Sequence, residues 1–207
     1  MFHTPTTMSI TGTTGSGKTT WLYRLLQNKD SMFSNPPTSI LYCYGAWQPL
    51  FNDMESALDI DFHKGVPTEK YLSDFSNPEE SKLVVLDDLM GEIANDQSIQ
   101  DLFSKGSHHL NLTVIWLSQN LFYQGKVMRT INLNTHYIVL LKNPRVQQIQ
   151  TLSTQMGLGK SLLESYHDCM KSAYGYLVVD LCPHSVDDYK IKTNIFPGED
   201  TVVYMPL

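Results

Sequence analysis

Nine consecutive residues constrain this chain more than any other stretch: Gly12, Thr13, Thr14, Gly15, Ser16, Gly17, Lys18, Thr19 and Thr20. They satisfy G-x-x-x-x-G-K-[ST] at every required position. A strand-like run, Met8-Ser9-Ile10-Thr11, precedes them, and an amphipathic run, Trp21 to Leu26, follows. That is the strand–loop–helix setting the motif needs. Three glycines let the backbone curl until its N–H groups face one concavity, a nest for phosphate oxygens. The N-terminus of the following helix adds partial positive charge. Lys18 has the reach for β- and γ-phosphates, and the Thr19 hydroxyl is a ligand for Mg²⁺.

The rest of the chain bounds what this loop serves. A length of 207 residues suits one α/β domain, with a core over about residues 6–156 and a C-terminal helix and β appendage over about 157–207. No apolar stretch approaches the ~20 residues that span a bilayer. The opening Met1-Phe2-His3-Thr4-Pro5 lacks the basic and apolar regions of a signal peptide. Cys43, Cys169 and Cys182 form no C-x-x-C pair, so a disulfide framework or zinc site is not expected and a reducing compartment fits. The formal charge of −6 argues against a protein that coats nucleic acid. Phosphate contacts supply most of that affinity, so any such contact must be local or multiplied by assembly.

Along the chain, strands are expected at Thr6–Thr11, Ser39–Tyr44, Lys82–Asp88, Leu112–Leu117 and Tyr137–Leu141, with a short extended piece at Asp61–Val66. Lys82–Asp88 is an uninterrupted apolar run ending in acid, the signature of a central parallel strand buried on both faces. Helices are expected from Lys18 to about Asn28, Trp47 to Leu58, Thr68 to Phe75, Met90 to Ser104, Asn143 to Met156 and through about Lys171. The stretch Leu121–Asn134 reads as a mixed loop with a short helix, and Lys29–Ser39 as a surface loop. Tyr174–Leu181 and Tyr189–Phe196 read as a hairpin, and Thr201–Tyr204 as a last extended piece. The alternation argues a mainly parallel sheet with helices on its faces.

Asp87 and Asp88 end the acidic strand. A nucleotide enzyme needs a carboxylate there to hold the Mg²⁺ shell, the role assigned to Asp87. Asp88 is the expected general base for the attacking water, although it would also cap the next helix. Gln119 follows the strand Leu112–Leu117, and ligands of open α/β sheets sit at the carboxyl ends of strands. It is therefore placed to bond the γ-phosphate or the lytic water, with Ser118 and Asn120 as alternatives. Hydrolysis also needs positive charge on the transferring phosphoryl group. The chain has only three arginines. Arg24 is expected to face solvent and Arg145 to lie at the surface. Arg129 and Lys105 are the candidates to reach a neighbouring subunit in a ring. The pair His108-His109 reads as solvated, and Trp47, Phe51, Phe75, Phe103 and Phe122 as core. Lys64, Lys70, Lys105 and Lys126 are candidate DNA contacts.

With these residues placed, the chain resembles the packaging ATPases of the FtsK/HerA superfamily. Within it, the chain is similar to the genome-packaging ATPases of Polinton/Maverick-type elements and related double-stranded DNA viruses, including the poxvirus type. The resemblance rests on the phosphate loop, on Val84-Val85-Leu86-Asp87-Asp88-Leu89, and on Phe103 through Phe122. It continues over Gln124-Gly125-Lys126, Arg129-Thr130-Ile131, His136 through Leu140, and Lys142-Asn143-Pro144-Arg145. It implies an ASCE, RecA-like P-loop NTPase that hydrolyses ATP with Mg²⁺. It also implies a pentameric or hexameric ring that moves double-stranded DNA into a capsid, inside an infected cell (cytoplasm or nucleus) and transiently on the capsid vertex. Lys18 and Thr19 match the ATP and Mg²⁺ ligands, Asp87-Asp88 the acidic pair, and Gln119 the sensor. Two positions depart from the pattern: Lys105 stands where the family often has arginine, and Val146 where an acid often follows Asn-Pro-Arg.

Two other classes remain open on the residues alone. A small-molecule or nucleoside kinase fits the length and loop, but such kinases close an arginine-bearing lid over the phosphates. A nucleotide-gated assembly protein would not need the set Lys18, Asp87, Asp88 and Gln119. A GTPase fits less well, because Asn143-Pro144-Arg145-Val146 is no guanine-reading Asn-Lys-x-Asp.

Overall fold

The computed structural model describes residues 1–93, 99, 110–122 and 126–205, without the side chains at 90 and 126–128. Nine strands form one sheet: β1 (Thr7–Thr11), β2 (Ser39–Tyr44), β3 (Ile60–Lys64), β4 (Lys82–Asp87), β5 (Leu112–Ser118), β6 (Tyr137–Leu140), β7 (Leu177–Asp180), β8 (Ile191–Thr193) and β9 (Val202–Tyr204). Their order is β3-β2-β4-β5-β1-β6-β7-β8-β9. The first six strands in that order are parallel, and the last three run antiparallel. The expected hairpin is therefore present as β7–β8, and it continues the main sheet.

The described helices are α1 (Lys18–Gln27), α2 (Lys29–Met32), α3 (Leu50–Ala57), α4 (Glu69–Phe75), α5 (Met90–Ile93), α6 (Lys126–Leu133), α7 (Val146–Gln155) and α8 (Gly159–Cys169). Parallel neighbours need crossovers, and these helices supply them on both faces. Side chains alternate across a strand. Accordingly Leu83 and Val85 of β4 join the core under α1 and α3, with Leu22, Leu25, Leu26, Phe51 and Met54. Val84 and Leu86 join the opposite core, with Val114, Trp116 and Ile131. With both faces apolar, hydrophobic alternation alone leaves the register of β4 open. Its polar ends set it: Lys82 Nζ donates to the Phe75 carbonyl at 2.8 Å, and Asp87 closes the other end.

Several expectations change in detail. The stretch after α1 is not all surface loop: Met32 and Phe33 are buried, and Phe2 bridges to Phe33. Burying these three apolar side chains outweighs the polar character of their neighbours. The helix after β6 starts at Val146, because the Asn143 Oδ1 accepts from the Arg145 N–H at 2.9 Å and holds a turn first. Trp47 lies outside α3 and is 45% exposed, so it is not core. Phe51 is fully buried, and Phe75 and Phe122 are half-buried. Beyond Ile93, the expected helix to Ser104 falls outside the described residues apart from a buried Ile99, as do Phe103, Lys105, His108 and His109.

The join between α8 and β7 is the tightest backbone approach in the C-terminal segment. A Cβ at Gly175 would stand 2.0 Å from the Cys169 carbonyl oxygen. That atom is main chain and has no rotamer to yield. Gly175→Ala is expected to lower stability by about 1–3 kcal/mol, read as a lower urea midpoint with an unchanged slope.

Candidate nucleotide site

Three strand ends meet at one level. Thr11 pairs with Ser118 and Asp87 with Leu117, so the carboxyl ends of β1, β5 and β4 are side by side. The pairing runs one step further, with Gly12 N–H donating to the Ser118 carbonyl at 3.1 Å. Because β5 lies between β1 and β4, Gln119 emerges between the phosphate loop and the acidic pair. The resulting cleft has a volume of about 450 Å³, and Gly15, Gly17, Lys18, Thr19, Thr20, Asp87, Asp88 and Gln119 all line it. Thus the structure gathers the principal expected site residues around one cavity. Gln48, Leu50 and Tyr174, which the sequence reading did not single out, line it too.

The loop has the form of an anion cradle. Gly15 and Gly17 take φ values of +76° and +94°, in the left-handed region where a side chain would strain the backbone. A Cβ at Gly12 would fall 2.5 Å from Ser16 Oγ and 2.9 Å from Leu141 Cβ. Thr13 fastens the loop to the far side of the sheet: its N–H and hydroxyl donate to the Lys142 carbonyl at 3.2 and 3.1 Å. The N-terminus of α1 carries no side-chain cap and no acid in its first turn, leaving its N–H groups to a ligand. The Ser16 hydroxyl is buried with no hydrogen-bond partner among the described residues. Lys18 Nζ donates to the Gly12 and Thr13 carbonyls at 2.8 and 3.1 Å. Burial lowers the Lys18 pKa, and the charges of Asp87 and Asp88 pull it back up. A nest of amides, an orphan hydroxyl and a half-buried cation fit a nucleotide's phosphates.

Strand parity aims the first acid. Asp87 has the parity of Leu83 and Val85, so it faces the α1 side, where Lys18 and Thr19 lie. Its carboxylate is 4% exposed and accepts from the Tyr42 hydroxyl at 2.7 Å. Burial raises the Asp87 pKa; the Tyr42 hydrogen bond lowers it, Asp88 raises it and Lys18 lowers it, with burial dominant. Tyr42 was missed by sequence reading, yet a signal existed. It sits opposite Val85 in the β2–β4 ladder, making Asp87 its diagonal neighbour on one face. Mg²⁺ takes few protein ligands and completes its shell with phosphate and water. The Thr19 hydroxyl and the Asp87 carboxylate, lining one cleft, suit that habit.

Asp88 is exposed and held at φ +58°, unusual for a residue other than glycine. Gly45 supports this turn from β2. Its N–H donates to the Asp87 carbonyl at 3.0 Å, and a Cβ there would lie 2.8 Å from the Asp88 carbonyl oxygen. Beyond Gln119 the chain is fixed by a polar network. Asn120 N–H donates to Ser118 Oγ at 3.2 Å, and Asn120 Oδ1 accepts from the Arg145 guanidinium and from Gln148 at 3.4 Å. Gln119 itself stays exposed on the cleft.

No arginine is among the residues that line the phosphate cleft. Arg24 is not simply solvated: it pairs with Glu199 at 2.5 Å and covers the Phe196 ring at 4.2 Å. Arg145 is tied to Asn120. Arg129 stands exposed on α6, away from the cleft. Lys64 and Lys70 are exposed, whereas the Lys126 side chain falls outside the described residues.

A phosphate loop, an acidic strand end and an intervening apolar strand that ends in polar residues, on a mainly parallel sheet, define the fold of P-loop ATPases. Among solved structures, the chain resembles B204, the DNA-packaging ATPase from Sulfolobus Turreted Icosahedral Virus, with a TM-score of 0.59 at 10% identity over 98% of each chain. It also resembles the cytoplasmic domain of EssC, with a TM-score of 0.55 at 16% identity over 97% of this chain and 40% of that one. EssC ATPases 2 and 3 from Geobacillus thermodenitrificans give a TM-score of 0.54 at 14% identity, again over 97% and 40%. The likeness is therefore one of fold and runs through nearly the whole chain. No family model and no curated protein matches the sequence.

The raised Asp87 pKa has a consequence for stability. The folded protein binds this proton more tightly than the unfolded chain, so stability from this group falls as pH rises from the ordinary value of 3.8 through the folded value. The full cost is present only above the folded value. Asp87→Asn, measured without nucleotide, is expected to melt about 2–4 °C higher at pH 7, a gain of about 1 kcal/mol. The gain should vanish as pH falls below 3.8.

Proposed function

We propose that this chain is an ATP-hydrolysing motor subunit that acts in a pentameric or hexameric ring and moves double-stranded DNA into a viral capsid. The observation that carries the hydrolytic part is the single cleft lined by Lys18, Thr19, Asp87, Asp88 and Gln119. Full-length likeness to a viral DNA-packaging ATPase supports the motor part. In this reading the Gly12–Thr20 backbone and Lys18 hold the phosphates. Thr19 and Asp87 would hold Mg²⁺, which would supply Lewis-acid stabilisation of the charge that develops on the phosphates. Asp88 accepts a proton from the attacking water, and Gln119 orients that water.

The cleft is short of positive charge. Lys18 is the one Lys or Arg among its described lining residues, and an arginine finger is worth roughly 10³–10⁵ in rate. A neighbouring subunit would supply the missing cation, from Arg129 or Lys105, which makes the ring part of the catalyst. A kinase would carry the cation on its own lid, and neither Arg24 nor Arg145 is free for that. No helix among the described residues is long and apolar enough to cross a membrane. The charge of −6 requires DNA affinity to arise from assembly, with an infected cell and its capsids as the setting.

Steady-state ATP hydrolysis with and without duplex DNA, together with particle mass, tests this reading. A DNA-stimulated ring is expected, with DNA binding that falls steeply with salt. A monomer that phosphorylates a nucleoside would overturn it. Lys18→Ala should abolish turnover. Arg129→Ala or Lys105→Ala should lower turnover by about 10³-fold in the assembled form, and full activity in both would exclude them as the acting charges.

A further inference from the structure

A second cavity, of about 320 Å³, adjoins the phosphate cleft and shares Gly17, Thr20 and Tyr174 with it. Trp21, Leu141 and Tyr176 form its apolar walls. Tyr174 stands at the lip between the two. It is 78% exposed, the most for a large aromatic among the described residues, and its backbone is held at φ +57°. Such a conformation costs a non-glycine residue about 1–2 kcal/mol and persists only when its surroundings impose it. Here they do: Gly175 N–H donates to the Ser172 carbonyl at 3.2 Å, and Gly175 itself abuts the Cys169 carbonyl. The ring projects over the phosphate loop, 3.4 Å from where a Cβ on Gly17 would be. The Tyr174 hydroxyl has no hydrogen-bond partner among the described residues. A strained, exposed ring beside an anion cradle has the form of a stacking platform.

We infer that Tyr174 and this cavity receive the nucleoside part of the nucleotide, and that the base is held by stacking rather than read along its edge. The inference rests on the nucleotide reading of the phosphate cleft. Two of the polar groups in the walls are already committed. Arg24 pairs with Glu199, and the Tyr176 hydroxyl donates to Glu199 at 2.8 Å while accepting from Ile195 N–H at 2.7 Å. The Thr20 and Tyr174 hydroxyls and the Trp21 indole N–H, buried without a partner among the described residues, remain, and the N3 and N7 acceptors that such donors would bond are common to adenine and guanine. Every base has a π-face, so stacking accepts them all. The segment after α8, which the phosphate chemistry does not use, thereby gains a role as the nucleoside-binding strap.

Equilibrium calorimetry with Mg²⁺ and three probes, ATP, GTP and inorganic tripolyphosphate, tests this. In the unmodified protein, ATP and GTP should bind within about tenfold of each other, both tighter than tripolyphosphate. Tyr174→Ala should weaken ATP and GTP by about tenfold or more, the scale of one base–aromatic stack, and leave tripolyphosphate affinity unchanged. Tyr174→Phe should retain binding of all three. Equal weakening of all three probes by Tyr174→Ala, or no weakening of ATP, would overturn the assignment. A preference of more than about 100-fold for one base would overturn stacking as the mode of recognition. An unmodified protein that binds neither tripolyphosphate nor ATP would instead remove the nucleotide reading on which the assignment stands.

Discussion

The site depends on one constraint, the parallel register of β1, β5 and β4. Their carboxyl ends stop together because Thr11 faces Ser118 while Leu117 faces Asp87. One residue of slip in β4 would turn Asp87 away from the helix that carries Lys18 and Thr19. It would also place Asp88, the more exposed acid, within the strand. The chemistry is thus a consequence of hydrogen-bond pairing several residues away from any reacting atom. The insertion of β5 between the other two strands matters as much. It separates the cradle from the acids by two strand spacings, about 9.6 Å, and fills that gap with Gln119.

The site is assembled against local stability. Asp87 is a buried carboxylate whose dominant influence is desolvation, eased by the Tyr42 hydroxyl and the Lys18 charge. Lys18 is half-buried and turned onto carbonyls of its own loop. Asp88 and Tyr174 both take left-handed backbone conformations. None of these is favoured by the fold alone, and the surrounding sheet holds them in place. Unfavourable local terms concentrated around one cavity are what a site prepared for a highly charged ligand requires, since the ligand's phosphates and cation offset them on binding.

The sequence made the sheet largely legible because its signals were redundant. β4 and β5 were unmistakable as apolar runs, and the phosphate loop located β1 and α1 together. The sites of failure have physical causes. Trp47 was read as core from helical spacing, but the spacing holds only from Leu50 onward, and the tryptophan lies before the helix. Asn143 looked like a helix cap, whereas its side chain closes an earlier turn on Arg145. The partners Tyr42, Gln48 and Tyr174 were invisible because they come from strands and turns distant in sequence, and only register or tertiary approach reveals them. Arg24 was expected in solvent because its partners, Glu199 and Phe196, lie near the opposite end of the chain. The positions of Lys105 and the paired histidines lie outside the described residues.

The bond between Arg24 and Glu199 gives α1 a second attachment. One end of this helix carries Lys18 and Thr19, and about two turns on, Arg24 pairs with the tail just before β9. A helix of ten residues is a stiff rod about 15 Å long. β9, at the sheet's outer edge, is thereby joined through Glu199 and Arg24 to the helix that opens at the loop Gly12–Thr20.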